Sequence, residues 1–207
     1  MMRLPHYVGR LLAGGSLLLA GCAQPLEEGP YRAYIQDAHH GLTQTQEVNG
    51  ATVTCSYRPP DLLVAQELGG RGGAASLAAV DSLRRSYAGR AYFSLALSQN
   101  GTEIENQLVT DHDAFTQAIT YLGAGIAQDV YLATPAPRAD SVAALTALYP
   151  RQYGNTGRST VLLLFDTRRL NLSRGFILSY HDQFFQLGNR RFRFAAGDLA
   201  DLPALKF

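Results

Sequence analysis

Lysine is nearly absent from this chain: Lys206 is the only one, so its positive charge is carried almost wholly by arginine. Charge of one sign is missing as well. Eighteen Lys+Arg stand against 17 Asp+Glu in 207 residues, which lacks the electrostatic footprint of a nucleic-acid binder. Cysteine is scarce, with Cys22 and Cys55 alone, so no disulfide framework can brace the fold. Long apolar runs are missing too. The stretch from Leu11 to Ala20 covers about 15 Å as a helix, and a bilayer core needs roughly 30 Å. Catalytic signatures are also lacking. No Gly-x-Ser-x-Gly elbow frames Ser76 or Ser173. The glycine run at 69–73 has neither the lysine nor the preceding strand of a phosphate-cradling loop, and reads as a flexible connection. No histidine pair has the His-x-x-x-His spacing that puts two ligands on one helical face.

What is present begins at Leu19-Ala20-Gly21-Cys22. Arg3 and Arg10, then an apolar run, then small residues make the order of a secretory leader. With the cysteine directly after the small residues, the segment resembles a bacterial lipobox; a plain signal peptidase site is the alternative. The resemblance implies cleavage before Cys22, a diacylglycerol on its thiol and an acylated amino group. Membrane lipid is then the first partner. Each buried CH₂ contributes about 0.8 kcal/mol, so several chains hold far better than one. Loss of Arg3 and Arg10 with the leader leaves 16 Lys+Arg against 17 Asp+Glu, still nearly neutral. By analogy with enteric lipoproteins, Ala23 rather than Asp after the cysteine points to an outer-membrane lipid anchor, facing the periplasm or the cell surface. Residues 23–30 show no apolar period and read as the tether. Residues 31–207 are enough for one globular domain with a substantial core.

Within that domain the pattern is mainly β. Leu42 to Val48 and Ala51 to Tyr57 flank Asn49-Gly50, the signal of a type I′ hairpin. Cys55 lies in the alternation and, without a partner, reads as a buried apolar residue. Pro60 to Leu68 predicts a helix with proline in its first position. Ala75 to Tyr87 predicts a second, with Leu77, Val80, Leu83 or Arg84, and Tyr87 on one side. Ala91 to Ser98, Asn100-Gly101 and Thr102 to Asn106 predict another hairpin. Thr110 and Asp113 read as a capping box before a stripe of Phe115, Ala118, Ile119 and Leu122. Strands are expected at 130–134, 160–165, 176–181 and 191–195; 141–149 is open between helix and strand. The fold class is α+β: a mostly antiparallel sheet of about seven to nine strands with two or three helices.

Glu47-Val48-Asn49-Gly50 and Tyr57-Arg58-Pro59-Pro60-Asp61-Leu62-Leu63-Val64, with Tyr92-Phe93-Ser94-Leu95 and Phe192-Arg193-Phe194, resemble a group of uncharacterised lipoproteins from Bacteroidetes-type bacteria. The resemblance is spread over most of the mature chain. It implies no activity, cofactor or site residue.

The candidate binding residues are basic. Arg168, Arg169, Arg174, Arg190, Arg191 and Arg193 crowd the last third, and Arg191 and Arg193 alternate with Phe192 and Phe194. A guanidinium row can clamp phosphates or carboxylates of lipid headgroups or anionic glycans. It can equally be a charged face that guards an edge strand. Histidines at 39, 40, 112 and 181 with their neighbouring aspartates are the only raw material for a metal site, and a solvated role is the simpler reading. Glu103 or Glu105 with Asp166 would be the carboxylate pair of a glycosidase. The expectation is a non-catalytic, membrane-anchored module that contacts an envelope protein or glycan. The alternatives are a small-ligand carrier with an apolar pocket near Phe93, Phe176 and Phe184, and a hydrolase.

Overall fold

The computed structural model describes residues 24–69, 76–135 and 140–207. The segment read as a leader, Cys22, Ala23, Gly70, Arg71, Gly72, Gly73 and Pro137 lie outside the described residues. Two antiparallel sheets face each other. The first contains β1 (Thr43–Val48), β2 (Ala51–Tyr57), β3 (Arg90–Gln99), β4 (Thr102–Glu103), β7 (Thr146–Leu148) and β8 (Ser159–Asp166), in the order β1-β2-β3-β8-β7 with β4 on β3. The second, in the order β10-β9-β5-β6, contains β5 (Val130–Ala133), β6 (Ser141–Ala143), β9 (Gly175–His181) and β10 (Asn189–Ala195).

The turn dipeptides act as the sequence predicts. Asn49 and Gly50 (φ 50° and 77°) and Asn100 and Gly101 (φ 50° and 75°) all have the positive φ that a type I′ turn needs. The second hairpin is shorter than expected. After Glu103 the chain turns into a 3₁₀ segment, Ile104–Leu108. That turn is fixed from outside, because the amide of Ile104 donates to Ser159 Oγ at 3.0 Å.

The stretch 141–149 is neither a helix nor one strand. It is β6 in one sheet and β7 in the other. The switch takes two residues: Ala144 N donates to Val130 O (2.9 Å) and Leu145 N to Leu164 O (2.7 Å). Two open strand edges satisfy these amides, and that overrides the helix preference of the alanines. On the opposite side the two sheets meet through glutamines. Gln44 Nε2 donates to Arg193 O (2.7 Å), Gln46 Nε2 donates to Arg191 O (2.8 Å), and Arg193 N donates to Gln44 Oε1 (3.2 Å). A covalent crossover on one side and a carboxamide seam on the other make the sandwich barrel-like.

The core fills the space between. Alternate residues of each long strand point inward: Val53 and Cys55, Phe93 and Leu95, Val161 and Phe165, Phe176 and Leu178, Phe192 and Phe194. Phe93 is the hub, with ring centroids 5.4–5.7 Å from Phe165, Phe176, Phe194 and Tyr57. Burial raises the Cys55 thiol pKa far above its ordinary value, so it packs as an apolar residue. At the start of β9, Gly175 (φ 81°) is required: a Cβ there would overlap the Phe194 carbonyl.

Helices cover the ends. The expected α2 (Pro60–Gly69), α3 (Leu77–Tyr87) and α4 (His112–Gly123) form. Two details differ. The cap of α4 is Asp111, not Thr110; its Oδ1 accepts from the amides of Asp113 (3.1 Å) and Ala114 (3.0 Å). On α3 only Val80 is buried, and Leu77 is 80% exposed. Among the described residues there are also α1 (Glu28–Gln36) and α5 (Ala196–Ala200), so the count of two or three helices was low, as was that of seven to nine strands. α1 buries only Tyr31 and Ile35, too short a stripe to announce itself. Tyr31, Ile35, Leu42, Leu62 and Leu205 form a second, smaller core at the Tyr57 end of the sheets. Leu26 is clamped there: its N donates to Ala204 O, Lys206 N donates to Leu26 O (both 2.8 Å), and Lys206 Nζ reaches Glu27 Oε1 at 2.6 Å. The folded body thus takes in part of the stretch read as tether. Among the described residues, no helix is long and apolar enough to cross a membrane.

Candidate functional site

Backbone strain gathers at the end of the molecule far from Leu26. Among the described residues, four non-glycine residues have positive φ: Asn49 (50°), Asn100 (50°), Tyr153 (55°) and Gln186 (60°). Asn49 and Asn100 are the hairpin tips. Tyr153 lies in the loop that packs on the second tip, where a Cβ on Gly157 would meet Gly101 O. Gln186 is in the β9–β10 connection, which Asn49 Nδ2 reaches by donating to Gln186 O at 3.2 Å. Such clustering of sparsely populated conformations calls for a functional hypothesis.

Between these loops lies a cleft of about 450 Å³, lined by Asn49, Gln99, Gln107, Leu108, Ala114, Phe184, Phe185, Gln186 and Leu187. Among the described residues its wall contains four carboxamides and two phenyl rings, and no charged side chain. Gln107 and Gln186 are exposed and their carboxamides have no hydrogen-bond partner among the described residues. Tyr121 backs the rings, stacking on Phe184 with centroids 5.3 Å apart and planes at 17°.

Asp182 shapes this wall. Its Oδ1 accepts from Tyr180 Oη (2.7 Å), Phe184 N (3.2 Å) and Phe185 N (3.1 Å), and its Oδ2 accepts from Leu187 N (2.7 Å). Burial pushes the Tyr180 phenol well above its ordinary value, so it acts as a donor throughout the accessible pH range. Asp182→Ala is expected to cost about 2–3 kcal/mol, since several bonds to one charged acceptor are lost together. Urea unfolding measures that cost, and faster exchange of the 184–187 amides would locate it.

The same end holds a buried polar knot. Glu105 is fully buried and accepts from the hydroxyls of Tyr149 and Ser159. Glu103, 1% exposed, accepts from Gly154 N at 2.9 Å. Burial and the bond to Glu105 push the Tyr149 phenol up. Asp166, the proposed glycosidase partner of these glutamates, is not here. Ser159 begins β8 and Asp166 ends it, and seven residues of strand span about 23 Å.

The six arginines do not converge into one row. The guanidinium of Arg168 is hydrogen-bonded to Asp166, with Nε 2.9 Å from Oδ1, and holds that carboxyl well below the usual carboxylate range. With Arg169 it borders a hollow of about 720 Å³ beside Val142–Leu145. That hollow is larger than the cleft, but its lining charges are an ion pair between near neighbours and Arg169, which has no carboxylate partner among the described residues. Arg174 sits in the 3₁₀ turn Leu172–Arg174. Arg191 and Arg193 face outward from β10, while Arg190 shares the inward face with Phe192 and Phe194 and its Nε is buried without a partner. The backbone of the Arg191–Arg193 strand is engaged by Gln44 and Gln46, so its edge is guarded by glutamines rather than by charge.

The histidines also stay apart. His112 is exposed at the start of α4, His181 packs beside Tyr131 and His40 stacks on Tyr34. Among the described residues no three His, Cys, Asp or Glu groups are placed to hold a metal ion. Phe93 and Phe176 pack edge to face in the core (5.5 Å), whereas Phe184 belongs to the cleft. The sequence marks Asn49 as a turn residue only, and does not single out the cleft residues Gln99, Gln107, Phe185 and Gln186. One signal was available: two adjacent aromatics, Phe184-Phe185, in a connection that should be polar. No family model, curated protein or solved structure matches the chain.

Proposed function

We propose that the chain is a non-catalytic envelope lipoprotein, anchored in the outer membrane by acylated Cys22 and presenting the hairpin-end cleft to a partner in the envelope. The observation that carries this reading is the clamp on Leu26 beside Ala204 and Lys206, at the end of the sheets opposite the cleft. Four peptide steps separate Cys22 from Leu26, a reach of at most about 14 Å. An anchor at Cys22 therefore holds the α1 end against the bilayer. The strands of β2 and β3 then carry the cleft outward by more than about 20 Å. Confinement to a surface raises the effective concentration of the cleft near anything else held there. Arg169, Arg191 and Arg193, without carboxylate partners among the described residues, stay available to anionic headgroups or glycans.

Labelling with a palmitate analogue tests the anchor. The wild-type chain is expected to take up label and partition into detergent, and Cys22→Ala to do neither. An unlabelled wild-type protein, or one that retains residues 1–21, would overturn the reading.

A further inference from the structure

We infer that the hairpin-end cleft is a binding site for a neutral saccharide. The inference rests on the binding-module reading above and names its ligand class. Three features of the lining point to it. First, among the described residues no charged side chain borders the cleft, which disfavours an anionic or cationic ligand: nothing there would offset the desolvation of a charge. Second, each carboxamide offers both a donor and an acceptor, the combination that a hydroxyl pair on a sugar ring can satisfy. Gln107 and Gln186 are unengaged, while Gln99 Nε2 is steadied by donating to Asn49 O at 3.3 Å. Third, Phe184 and Phe185 give an apolar surface for the C–H face of a pyranose. They are locked by ring packing on Tyr121 and on each other (5.0 Å), so little freedom is lost on binding.

The volume suits a small ligand, within the range of roughly 300–1,000 Å³ common for such sites. A peptide is the competing occupant with similar hydrogen-bonding needs. Peptides gain affinity by adding to an open sheet edge. The edges of β1 and β10 beside the cleft are already joined by Gln44 and Gln46, so that mode is closed.

The test is saturation-transfer NMR on the full chain in detergent, with maltotriose, cellotriose and chitotriose as probes. Sialyllactose and a neutral tripeptide serve as controls. Transfer to the ring C–H protons of at least one neutral trisaccharide is expected, with weak or no transfer to the controls. Gln107→Ala should weaken binding about tenfold, the size expected for one lost hydrogen bond to a ligand, and Phe184→Ala at least as much. Gln107 is exposed, so its variant keeps the test valid should Phe184→Ala fold poorly. Arg85→Ala, on the exposed side of α3, should leave binding unchanged. No transfer to any neutral probe, transfer insensitive to Gln107→Ala, or preference for the tripeptide would overturn the inference. Lipid labelling of Cys22 is read separately, so a failed saccharide test alongside a labelled protein removes this inference alone.

Discussion

Phe93→Ala is expected to lower the unfolding free energy by about 3–5 kcal/mol. Small domains have about 5–15 kcal/mol in total, so the variant should unfold at much lower urea. The cause is the position of the ring. It is fully buried and touches four other aromatic rings contributed by β2, β8, β9 and β10, so both sheets lean on it. Truncation removes transfer energy and leaves a void whose walls belong to opposed sheets, which cannot close without moving the seam or the crossover. Phe93→Leu keeps part of the volume and should lose less. Denaturant titration of the three proteins gives the comparison; a Phe93→Ala midpoint within error of wild type would show that the sheets do not depend on this contact.

Glu105→Ala is expected to cost about 3–5 kcal/mol, because it strands the buried Ser159 hydroxyl and the half-buried Tyr149 hydroxyl as well as leaving space. Ser159, which already accepts from Ile104 N, begins β8, and Tyr149 directly follows β7, so two pieces of chain lose their common acceptor. Glu105→Gln keeps the shape. Its carbonyl can take one hydroxyl proton and its amide can donate to the other oxygen, so the loss should be about 1–2 kcal/mol. Tyr149→Phe combined with Glu105→Ala should cost less than the two single changes added, since one orphaned hydroxyl is gone. Thermal unfolding of wild type, the three single variants and the double variant decides it; equal losses for Ala and Gln at 105 would mean that Glu105 fills space and does no more.

Much of the sheet was legible because its instructions are local. Asn49-Gly50 and Asn100-Gly101 each carry their turn within two residues, and the alternation in 51–57 and 91–98 needs no distant partner to show its inward face. Pro60 likewise marks its own helix. Three things could not be read that way. The chain at 141–149 has a weak pattern of its own and takes its form from the edges of β5 and β8. Gln44 and Gln46 look like ordinary polar residues of an outer strand until β10, nearly 150 positions later, lies beside them. The cleft is built from five separated segments, and its charge-free lining appears only once they meet. The arginines illustrate the reverse. Their crowding in sequence is plain, yet strand alternation turns Arg190 inward and Arg191 outward, while Asp166 occupies Arg168.

The glutamine seam has a consequence for crowding. A β-sheet rim with open amides and carbonyls is a template on which another copy can grow, and the danger rises with local density. Here two of the longest rims, β1 and β10, are turned toward each other and bridged by side chains. Among the described residues the remaining outer strands are short: β4 has two residues, and β6 and β7, three each, bend at Ala144 into different planes. Copies packed side by side would meet few templates long enough to seed an amyloid-like stack.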